Sequence, residues 1–448
     1  MRSKYFLLAS VLVMNLLLFS SCLNSSDENI EYSPDAQIYA FSISSRADTS
    51  SLLSATQFTI DQINGKIFNK EPLPYQFQVD SVLLNISGPS SYSFFMQVLL
   101  KLQPDSTILW MQTDSVAVNR LSEIITTAPD GETTKSYDFE LNIYQQDPYI
   151  LSWEKREGNY LSSPVESQKT IAFNNLFITY WLSGTDMKAV TTLITDGVNW
   201  SEANLTGLPY SADLSTLVAS GNAVYLLDNV SESVYKSTDG MNWNPVTAPY
   251  TVKAMYGELP SATGGGILTA INHNDTLKFA KTTDFTAMTL MNRIPDDIPL
   301  KDFSAAQIDD PTSYSIKYIL LSGGTRADTT PNNGIWILQE KNGKITYIAS
   351  RVPGSVSLSG SSLFFYDNKP YLMTTSSEKN ILIYSENSGL DWIEAGENQQ
   401  LPADFNKRTA ASIITDADNY IWIFGGISAT QTQLVDVWRG RLNKFAGI

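Results

Sequence analysis

The stretch "KSTDGMNW", Lys236 to Trp243, decides the fold of this chain because it is repeated. The same order of residue types returns as "SENSGLDW" at Ser385 to Trp392, and a shorter copy, "ITDGVNW", lies at Ile194 to Trp200. In these copies an Asp or Asn can accept backbone N–H bonds across a turn, and glycine can take a positive φ. We expect the Trp that follows to cover the apolar gap beneath the next sheet. These needs are local, so the repeat predicts a structural turn.

A longer repeat surrounds these turns from Leu151 onward. Each unit runs through a small-residue strand, an apolar strand, a third strand with an aromatic or apolar centre, a tight turn and a last short strand. Spacings of 42, 44, 57, 48 and 54 residues separate the third-strand centres, which are Leu193, Tyr235, Phe279, Trp336, Tyr384 and Trp438. Such a period is typical of four-stranded propeller blades. The sequence therefore predicts a six-bladed β-propeller over residues 148–448.

The last unit has no fourth strand of its own, and a segment before the first unit could supply it. That segment, "YILSWEKREG" from Tyr149 to Gly158, is similar to the fourth strands "NWNPV" and "DWIEAG" of other units. We expect Leu151 to Lys155 to complete the sixth blade, so that the ring closes without an open edge.

Residues 37–147 contain short strands without a repeat. "YSFFMQVLLKL" from Tyr92 to Leu102 and "KSYDFELNIYQ" from Lys135 to Gln145 alternate or are apolar over strand length, with Pro and Gly turn signals between them. The pattern predicts a small immunoglobulin-like β-sandwich. The fold class expected for the whole chain is all-β.

The repeated turns resemble a known motif. "STDGMNW" is similar to the Asp-box of propeller proteins, which lies between the third and fourth strands of a blade. This resemblance assigns structural roles to Asp239, Gly240, Trp243, Asn387, Gly389 and Trp392. Two other units resemble Kelch-type blades, through "LLSGG" at Leu320 to Gly324 and "IFGG" at Ile423 to Gly426.

The first residues are typical of a lipoprotein leader. Residues 1–21 combine a basic start with an apolar run, and Ser20-Ser21-Cys22 matches a loose lipobox. Cys22 is then the lipidated first residue of the mature chain, and residues 22–36 form a flexible, acidic tether. The alternative is a plain secretory leader followed by an unmodified cysteine. Since Cys22 is the chain's only cysteine, an intramolecular disulfide is excluded.

Charge limits the partners. The formal net charge is −16, and an acidic surface of this kind repels phosphate backbones, so no nucleic-acid partner is expected. The expected partners are a membrane, through the lipid on Cys22, and a glycan or an outer-membrane protein.

The chain as a whole resembles a family of uncharacterised surface lipoproteins from gut Bacteroidota. The resemblance rests on the lipobox, on "FTIDQINGKIFNKEPLP" at Phe58 to Pro74, on "YDFELNIYQQDPYILSW" at Tyr137 to Trp153, and on the blades. It implies a sandwich followed by a propeller and a place on the outer membrane, facing the cell surface or the periplasm. It implies no activity.

No catalytic, cofactor or metal site is predicted. Asp-boxes suggest a sialidase, and "NRIP" at Asn292 to Pro295 is similar to its Arg-Ile-Pro signature, but sialidases place that arginine before their Asp-boxes and Arg293 follows two of them. His273 is the only histidine, which excludes a multi-histidine zinc site. "TDADNY" at Thr415 to Tyr420 lacks the later Glu of a calcium loop and favours a β-turn.

A binding rim can be proposed from the order of the strands. The links between second and third strands and those between blades should lie on one face, opposite the Asp-box turns. This face would carry Tyr210, Tyr250, His273, Asn274, Asp275, Arg293, Arg326, Asp328 and Arg408. Aromatic, Asn and Asp side chains suit carbohydrate recognition, although surface loops are polar in any protein. The expected function is a non-catalytic, lipid-anchored surface protein that binds a glycan or a protein. The alternative is a glycan-active hydrolase or lyase with an unrecognised site.

Overall fold

The computed structural model describes residues 31–78, 81–91, 94–259, 265–309, 317–354 and 356–446. The leader, Cys22 and most of the predicted tether lie outside these residues. The chain divides into two compact units, of which one ends at Gln146 and the other begins at Asp147.

The first unit is built from short strands and one helical turn. The strands are β1 (Ala40–Ser44), β2 (Phe58–Asp61), β3 (Lys66–Asn69), β4 (Val82–Ser87), β5 (Ser90–Ser91), β6 (Phe94–Phe95), β7 (Gln97–Leu102), β8 (Ser106–Leu109), β9 (Ser115–Val116), β10 (Leu121–Thr127) and β11 (Thr134–Glu140). The helix α1 spans Leu52–Ala55, and a 3₁₀ turn spans Val118–Arg120.

Two sheets of this unit share one apolar core. One has the order β1-β4-β9 and the other β2-β3-β11-β10-β7-β8, beside a small β5-β6 pair. Strand β4 alternates buried and exposed residues along its whole length, as expected for a sheet with one face on a core. Its Val82, Leu84 and Ile86 share a core with Leu100 and Tyr137 of the larger sheet. The first unit therefore has two sheets around a single core.

The strand arrangement differs from the predicted immunoglobulin-like one. Constant-type immunoglobulin sandwiches divide seven antiparallel strands into four and three. Here the larger sheet has six strands, and its β3 and β11 run parallel. The parallel pair arises because the β2–β3 hairpin, early in the chain, joins the edge of β11. Alternation along single strands does not reveal such long-range pairing.

The second unit contains six four-stranded antiparallel sheets, here numbered I to VI, among its described residues. Sheet I consists of β13 (Ser167–Phe173), β14 (Leu176–Ser183), β15 (Asp186–Leu193) and β16 (Ser201–Ala203). Sheet II consists of β17 (Ala212–Ser220), β18 (Ala223–Asp228), β19 (Val234–Ser237) and β20 (Asn244–Val246). Sheet III consists of β21 (Thr251–Glu258), β22 (Ile267–His273), β23 (Thr276–Thr282) and β24 (Thr289–Arg293).

The remaining three sheets follow the same order of strands. Sheet IV consists of β25 (Ser304–Asp309), β26 (Lys317–Ser322), β27 (Ile335–Lys341) and β28 (Lys344–Ala349). Sheet V consists of β29 (Ser357–Tyr366), β30 (Lys369–Thr375), β31 (Asn380–Tyr384) and β32 (Ile393–Glu394). Sheet VI consists of β34 (Ser412–Thr415), β35 (Ile421–Phe424), β37 (Val437–Leu442) and β12 (Leu151–Glu157), while β33 (Arg408–Thr409) pairs with β36 (Ile427–Ser428). The 3₁₀ turns span Glu397–Gln399 and Asn443–Phe445.

Sheet VI joins strands from the two ends of the unit. Strand β12 pairs antiparallel with β37, and Trp153 lies opposite Gly440 in that register. A Cβ at Gly440 would come within 2.6 Å of the Trp153 ring, so glycine leaves the space that the indole occupies. The Trp153 indole N–H donates to the Gln400 carbonyl at 3.1 Å.

Apolar clusters join neighbouring sheets. Sheets I and II share the cluster around Tyr180 and Leu226, and each later sheet shares one with the sheet that follows. A further cluster combines Phe177 and Trp181 of sheet I with Trp422 of sheet VI. The second strands lie between two such clusters, and β18 is accordingly buried at every position. Stacking of this kind stabilises repeats that could not bury both faces alone.

In the part of the chain that the structure describes, no helix combines the length and the apolar character needed to cross a lipid bilayer.

Candidate functional site

The repeated turn is held by its own side chains. Between β19 and β20, the Asp239 carboxylate accepts the backbone N–H groups of Met241 and Asn242, both at 2.8 Å, and the Asn242 side-chain amide at 2.6 Å. These hydrogen bonds hold the pKa of Asp239 far below its usual range, even though partial burial opposes them. Gly240 has a φ of +79°, as the turn requires. The Asp239 carboxylate is thus used within its own turn.

The Trp of the turn packs on the preceding sheet, whereas the sequence predicted contact with the next one. Trp243 of sheet II is buried against sheet I, with its ring centroid 5.7 Å from that of Tyr180. The Tyr180 hydroxyl donates to the Gly240 carbonyl at 2.7 Å. Trp392 of sheet V likewise shares a cluster with Tyr318 of sheet IV. Backbone hydrogen bonds hold the turn of sheet II on this side, because the Thr206 N–H donates to the Met241 carbonyl at 3.0 Å and the Trp243 N–H donates to the Thr206 carbonyl at 2.9 Å, in the link between sheets I and II.

Sheet III carries a fourth version of this turn that the sequence comparison missed. The Thr282 hydroxyl accepts the Phe285 N–H at 2.8 Å, and Asp284 accepts the N–H of Thr286 at 3.0 Å. Phe285 takes the glycine position with a φ of +68° and is fully buried beside Tyr225 of sheet II. The Thr-x-Asp spacing was the available signal, but the absence of Gly and Trp hid it.

Part of the proposed rim forms around the β22–β23 turn. Asn274 and Asp275 are its two central residues, both exposed with positive φ, a geometry that two-residue hairpin turns favour. His273 precedes them and meets Tyr250 with ring centroids 5.3 Å apart. The His273 Nδ1 is buried and makes no hydrogen bond in the described chain. The structure thus brings four of the nominated residues together.

A second part of the rim is a cluster of charges. Arg293 pairs with Asp296 at 2.9 Å, and Arg326 pairs with Asp297 at 3.4 Å. The two aspartates are neighbours in the connection between β24 and β25, so both arginines meet in one loop region. The Arg293–Asp296 pair is largely exposed and contributes little to stability, whereas the Arg326 side chain is partly buried.

The other nominated residues differ in their roles. Tyr210 lies between β16 and β17, and 59% of it is exposed. Asp328 accepts the Thr330 N–H at 3.0 Å and its hydroxyl at 2.5 Å, so this carboxylate stabilises its own turn.

Arg408 is not available to a ligand, which corrects its assignment to the rim. Its side chain is fully buried and forms a two-bond pair with Asp436, at 2.5 and 3.0 Å. The Gly425 carbonyl accepts a third hydrogen bond, at 3.0 Å, and the Phe405 ring lies 4.1 Å from the guanidinium carbon. Arg408 is therefore a structural residue that joins β33 to the segment before β37.

One cavity is lined by the first strands of all six sheets. Its volume is about 290 Å³, and its walls come from β13, β17, β21, β25, β29 and β34 together with Ala411 and Phe303. Neighbouring first strands are in contact, and β34 also contacts β13. We call this space the axial cavity. Its polar lining comprises Lys169, Thr170, Ser215, Tyr256, Glu258, Ser304, Gln307, Ser362 and Ser412.

Serine hydroxyls connect the strands around the axial cavity. Ser412 accepts the Thr170 N–H at 3.0 Å, and Ser304 accepts the Leu363 N–H at 2.8 Å. Ser362 donates to the Ala411 carbonyl at 2.8 Å. Because a first strand has a sheet neighbour on one side only, these hydroxyls satisfy backbone groups that would otherwise lie unpaired.

Two carboxylates lie beside residues that line the axial cavity. Asp213 precedes the lining residue Ser215, and Asp302 precedes Phe303. Partial burial of its carboxyl raises the pKa of Asp302, the negative charge of Asp213 raises it further, and Lys301 opposes the change. The Asp213 carboxylate accepts the Ser215 N–H at 3.0 Å. The pair therefore combines two carboxyls in unlike environments.

The axial cavity could not be predicted from the sequence. Its lining residues are distributed over six strands, and the only local signal was the recurrence of small-residue strands such as "LSTLVAS". No spacing rule connects Lys169 to Ser304 and Ser412, which lie more than a hundred residues further along the chain.

The turn predicted at Thr415 to Tyr420 is stabilised by its own residues. Asp416 of "TDADNY" accepts the N–H groups of Asp418 and Tyr420, at 2.9 and 2.8 Å, in the turn between β34 and β35. No cluster of three metal-ligating side chains occurs among the residues that the structure describes. Cys22 lies outside them.

Comparison with known proteins gives a family and a fold. A search of curated protein sequences finds no match. Structures similar in fold include one described as the structure of YjhT, 12% identical with a TM-score of 0.43, over 61% of this chain and 94% of that one. A streptogramin B lyase is 10% identical with a TM-score of 0.39, over 66% of this chain and 100% of the other.

A Trypanosoma rangeli sialidase in complex with 2,3-difluorosialic acid is 12% identical with a TM-score of 0.40. That match covers 62% of this chain and 54% of the sialidase. Similarities at this level carry no conclusion about activity. Family assignment is more direct, because residues 34–141 match the DUF6242 N-terminal domain and residues 147–448 match the DUF6242 beta propeller domain. The chain therefore belongs to the DUF6242 family, and its second domain is a β-propeller.

Proposed function

We propose that the protein is a non-catalytic, lipid-anchored surface protein whose six-bladed propeller binds a glycan at the axial cavity and the surrounding rim. The observation that carries this proposal is a single cavity lined by the first strands of all six sheets. Such convergence is expected where successive sheets surround one axis, and ligand sites favour concave places of this kind.

The six-bladed, closed ring is part of the proposal. It is supported by the pairing of β12 with β37 and by the apolar cluster that combines residues of sheets VI and I. Because sheet VI packs against sheet I through that cluster, each of the six sheets has a neighbouring sheet on either side. The 148–448 extent of the propeller belongs to the same proposal.

The choice of a glycan follows from the chemistry of the lining and the rim. Five hydroxyl-bearing Ser and Thr side chains and Gln307 line the cavity, which suits hydrogen bonding to sugar hydroxyls. Tyr210 and Tyr250 offer aromatic faces on the rim, which suit sugar rings. A protein partner is the other outcome of the binding test.

A glycan-active hydrolase or lyase is the second candidate, and Asp213 with Asp302 favours it. Glycoside hydrolysis uses two carboxyls in unlike environments, and Asp302, whose pKa is raised by partial burial and by the nearby charge of Asp213, offers such a carboxyl beside a second one.

A glycan array followed by a reducing-sugar assay tests both candidates. We expect the wild-type protein to bind a glycan without releasing product, and Asp302→Asn to bind as the wild type does. Asp186→Asn, a change at the exposed first residue of β15, is the matched control. Product release that Asp302→Asn abolishes and Asp186→Asn leaves intact would replace the binding proposal with the enzymatic one. Retention of an outer-membrane protein instead of any glycan would show the protein-partner role.

The anchor is proposed at Cys22, at the outer membrane, facing the cell surface or the periplasm. Its support is the lipobox sequence and the acidic run after it. We expect Cys22→Ser to abolish incorporation of labelled palmitate and to release the protein from the membrane fraction. A variant that remains in that fraction would show that the leader, or another segment, holds the protein there.

A further inference from the structure

Lys169 is the one ammonium in the lining of the axial cavity. It is the third residue of β13, and Ile171 and Phe173 on the same face pack toward sheet II. Its side chain therefore lies on the side of β13 that faces Ser215 and Leu217, which line the same cavity. The Lys169 side chain is half-buried on a first strand.

No partner compensates this charge within the described residues, since Lys169 makes neither an ion pair nor a hydrogen bond there. Burial lowers the pKa of the Lys169 ammonium, because desolvation disfavours the charged form. By contrast, Lys281 pairs with Glu340 at 2.9 Å between sheets III and IV. A partly desolvated ammonium without a counterion favours a ligand that supplies the negative charge.

Serine hydroxyls in the lining of the axial cavity can donate hydrogen bonds to a ligand. Ser412 and Ser304 each use an oxygen lone pair to accept a backbone N–H, at 3.0 and 2.8 Å. Neither hydroxyl makes another hydrogen bond within the described chain, so each retains its O–H as a donor. A cavity with one ammonium and O–H groups still free to donate has the composition of an anion site.

The opposite charge lies elsewhere along the cavity. Glu258 is the last residue of β21, while Lys169 lies near the start of β13. In a propeller the first strands run in the same direction, so the two charges face different ends of the axis. Asp213 and Asp302 lie near the starts of β17 and β25, at the Lys169 end, but neither carboxyl is part of the cavity lining or pairs with Lys169 within the described residues. The lining at that end therefore carries a positive charge only.

We propose that the axial cavity binds a small carboxylate ligand of about the size of one sugar ring, with Lys169 as the ion-pair partner and Ser304 and Ser412 as hydrogen-bond donors. This proposal extends the proposed function. It rests on that function for the assumption that the carboxylate belongs to a glycan. The volume of about 290 Å³ is small for a ligand pocket and admits one ring with its carboxylate, not a long chain.

Three probes distinguish the sources of the carboxylate: D-glucuronate, its neutral counterpart D-glucose, and acetate. Binding is measured by calorimetry, and protection of Lys169 from acetylation is measured by mass spectrometry. We expect glucuronate to bind and to protect Lys169, glucose to do neither, and acetate to protect weakly. Lys169→Gln should weaken glucuronate binding at least tenfold. Lys344→Gln, a change at an exposed lysine on β28, should leave it unchanged.

The results separate the anion site from glycan recognition. Equal binding of glucose and glucuronate, or unaltered glucuronate affinity in Lys169→Gln, overturns the anion site while glycan binding stands. If the wild-type protein binds no glycan on the array but glucuronate and acetate still protect Lys169, the anion site stands and glycan recognition fails. A folded Lys169→Met variant that behaves as Lys169→Gln shows that the lost charge is responsible.

Discussion

Replacing Asp436 by asparagine is expected to lower the free energy of unfolding of the second unit by about 3–5 kcal/mol. The change removes one member of a buried ion pair and leaves the Arg408 guanidinium, whose side chain is fully buried, without a counterion. The neutral amide can still accept hydrogen bonds, but it does not compensate a buried positive charge. Denaturant unfolding followed by tryptophan fluorescence measures the loss.

Asp296→Asn is the matched control. Asp296 pairs with Arg293 at 2.9 Å, but both side chains are mostly exposed. We expect the control to change the free energy of unfolding by about 1 kcal/mol or less. Arg408→Met combined with Asp436→Asn should recover part of the loss, because the stranded charge is gone. Equal effects of Asp436→Asn and Asp296→Asn would show that the buried pair has no special role.

The same pair gives a pH dependence. Burial by itself would raise the pKa of Asp436, but the hydrogen bonds and charge of Arg408 and the Trp438 indole N–H outweigh it and hold that pKa below its usual range. A carboxyl whose pKa is lower in the folded state contributes stability above its unfolded value, about 3.9, and this stability is lost as the pH falls. The unfolding free energy of the wild type should therefore fall more steeply below pH 4 than that of Asp436→Asn.

A disulfide between positions 152 and 441 is expected to stabilise the second unit by up to about 5 kcal/mol. Ser152 and Arg441 lie opposite each other where β12 pairs with β37. Linking them closes nearly the whole unit into one loop, and long loops lose the most entropy when cross-linked. The test uses Ser152→Cys with Arg441→Cys in a soluble form without Cys22. The difference in unfolding free energy between oxidised and reduced protein is measured.

A second disulfide provides the control for this experiment. Lys341 and Lys344 are paired across the β27–β28 hairpin, and both are exposed. A cross-link there closes a very short loop, so a gain of about 2 kcal/mol or less is expected. If the 152–441 pair stays reduced under oxidising conditions, or gains no more than the hairpin pair, the proposed ring closure is wrong.

Local features of the fold could be predicted from the sequence. The all-β class and the β-propeller domain are confirmed, and the six third-strand centres, from Leu193 to Trp438, lie in the third strands of sheets I to VI. These features are predictable because the residues that form them are close together in the sequence. In a turn such as Asp239 to Trp243 the Asp239 carboxylate finds its hydrogen-bond donors within three residues, and a strand shows its buried face in its own alternation.

Contacts between distant segments could not be predicted in the same way. Arg408 looked like a rim residue because it lies in a connection, but its role depends on Asp436 and on a carbonyl near the end of β35. Trp243 was expected to cover the next sheet and instead packs on Tyr180 of the preceding one. In both cases the partner lies beyond the reach of any local pattern.

By itself, the sequence determined where strands and turns form, because backbone hydrogen bonding and the burial of alternate side chains depend on near neighbours. Only the tertiary structure decided which side chains meet at the axial cavity. Lys169, Ser304 and Ser412 come from sheets I, IV and VI. They share an environment only after all six sheets have assembled around the axial cavity. Burial and charge compensation are properties of that assembled space, and so the candidate site follows from the folded chain.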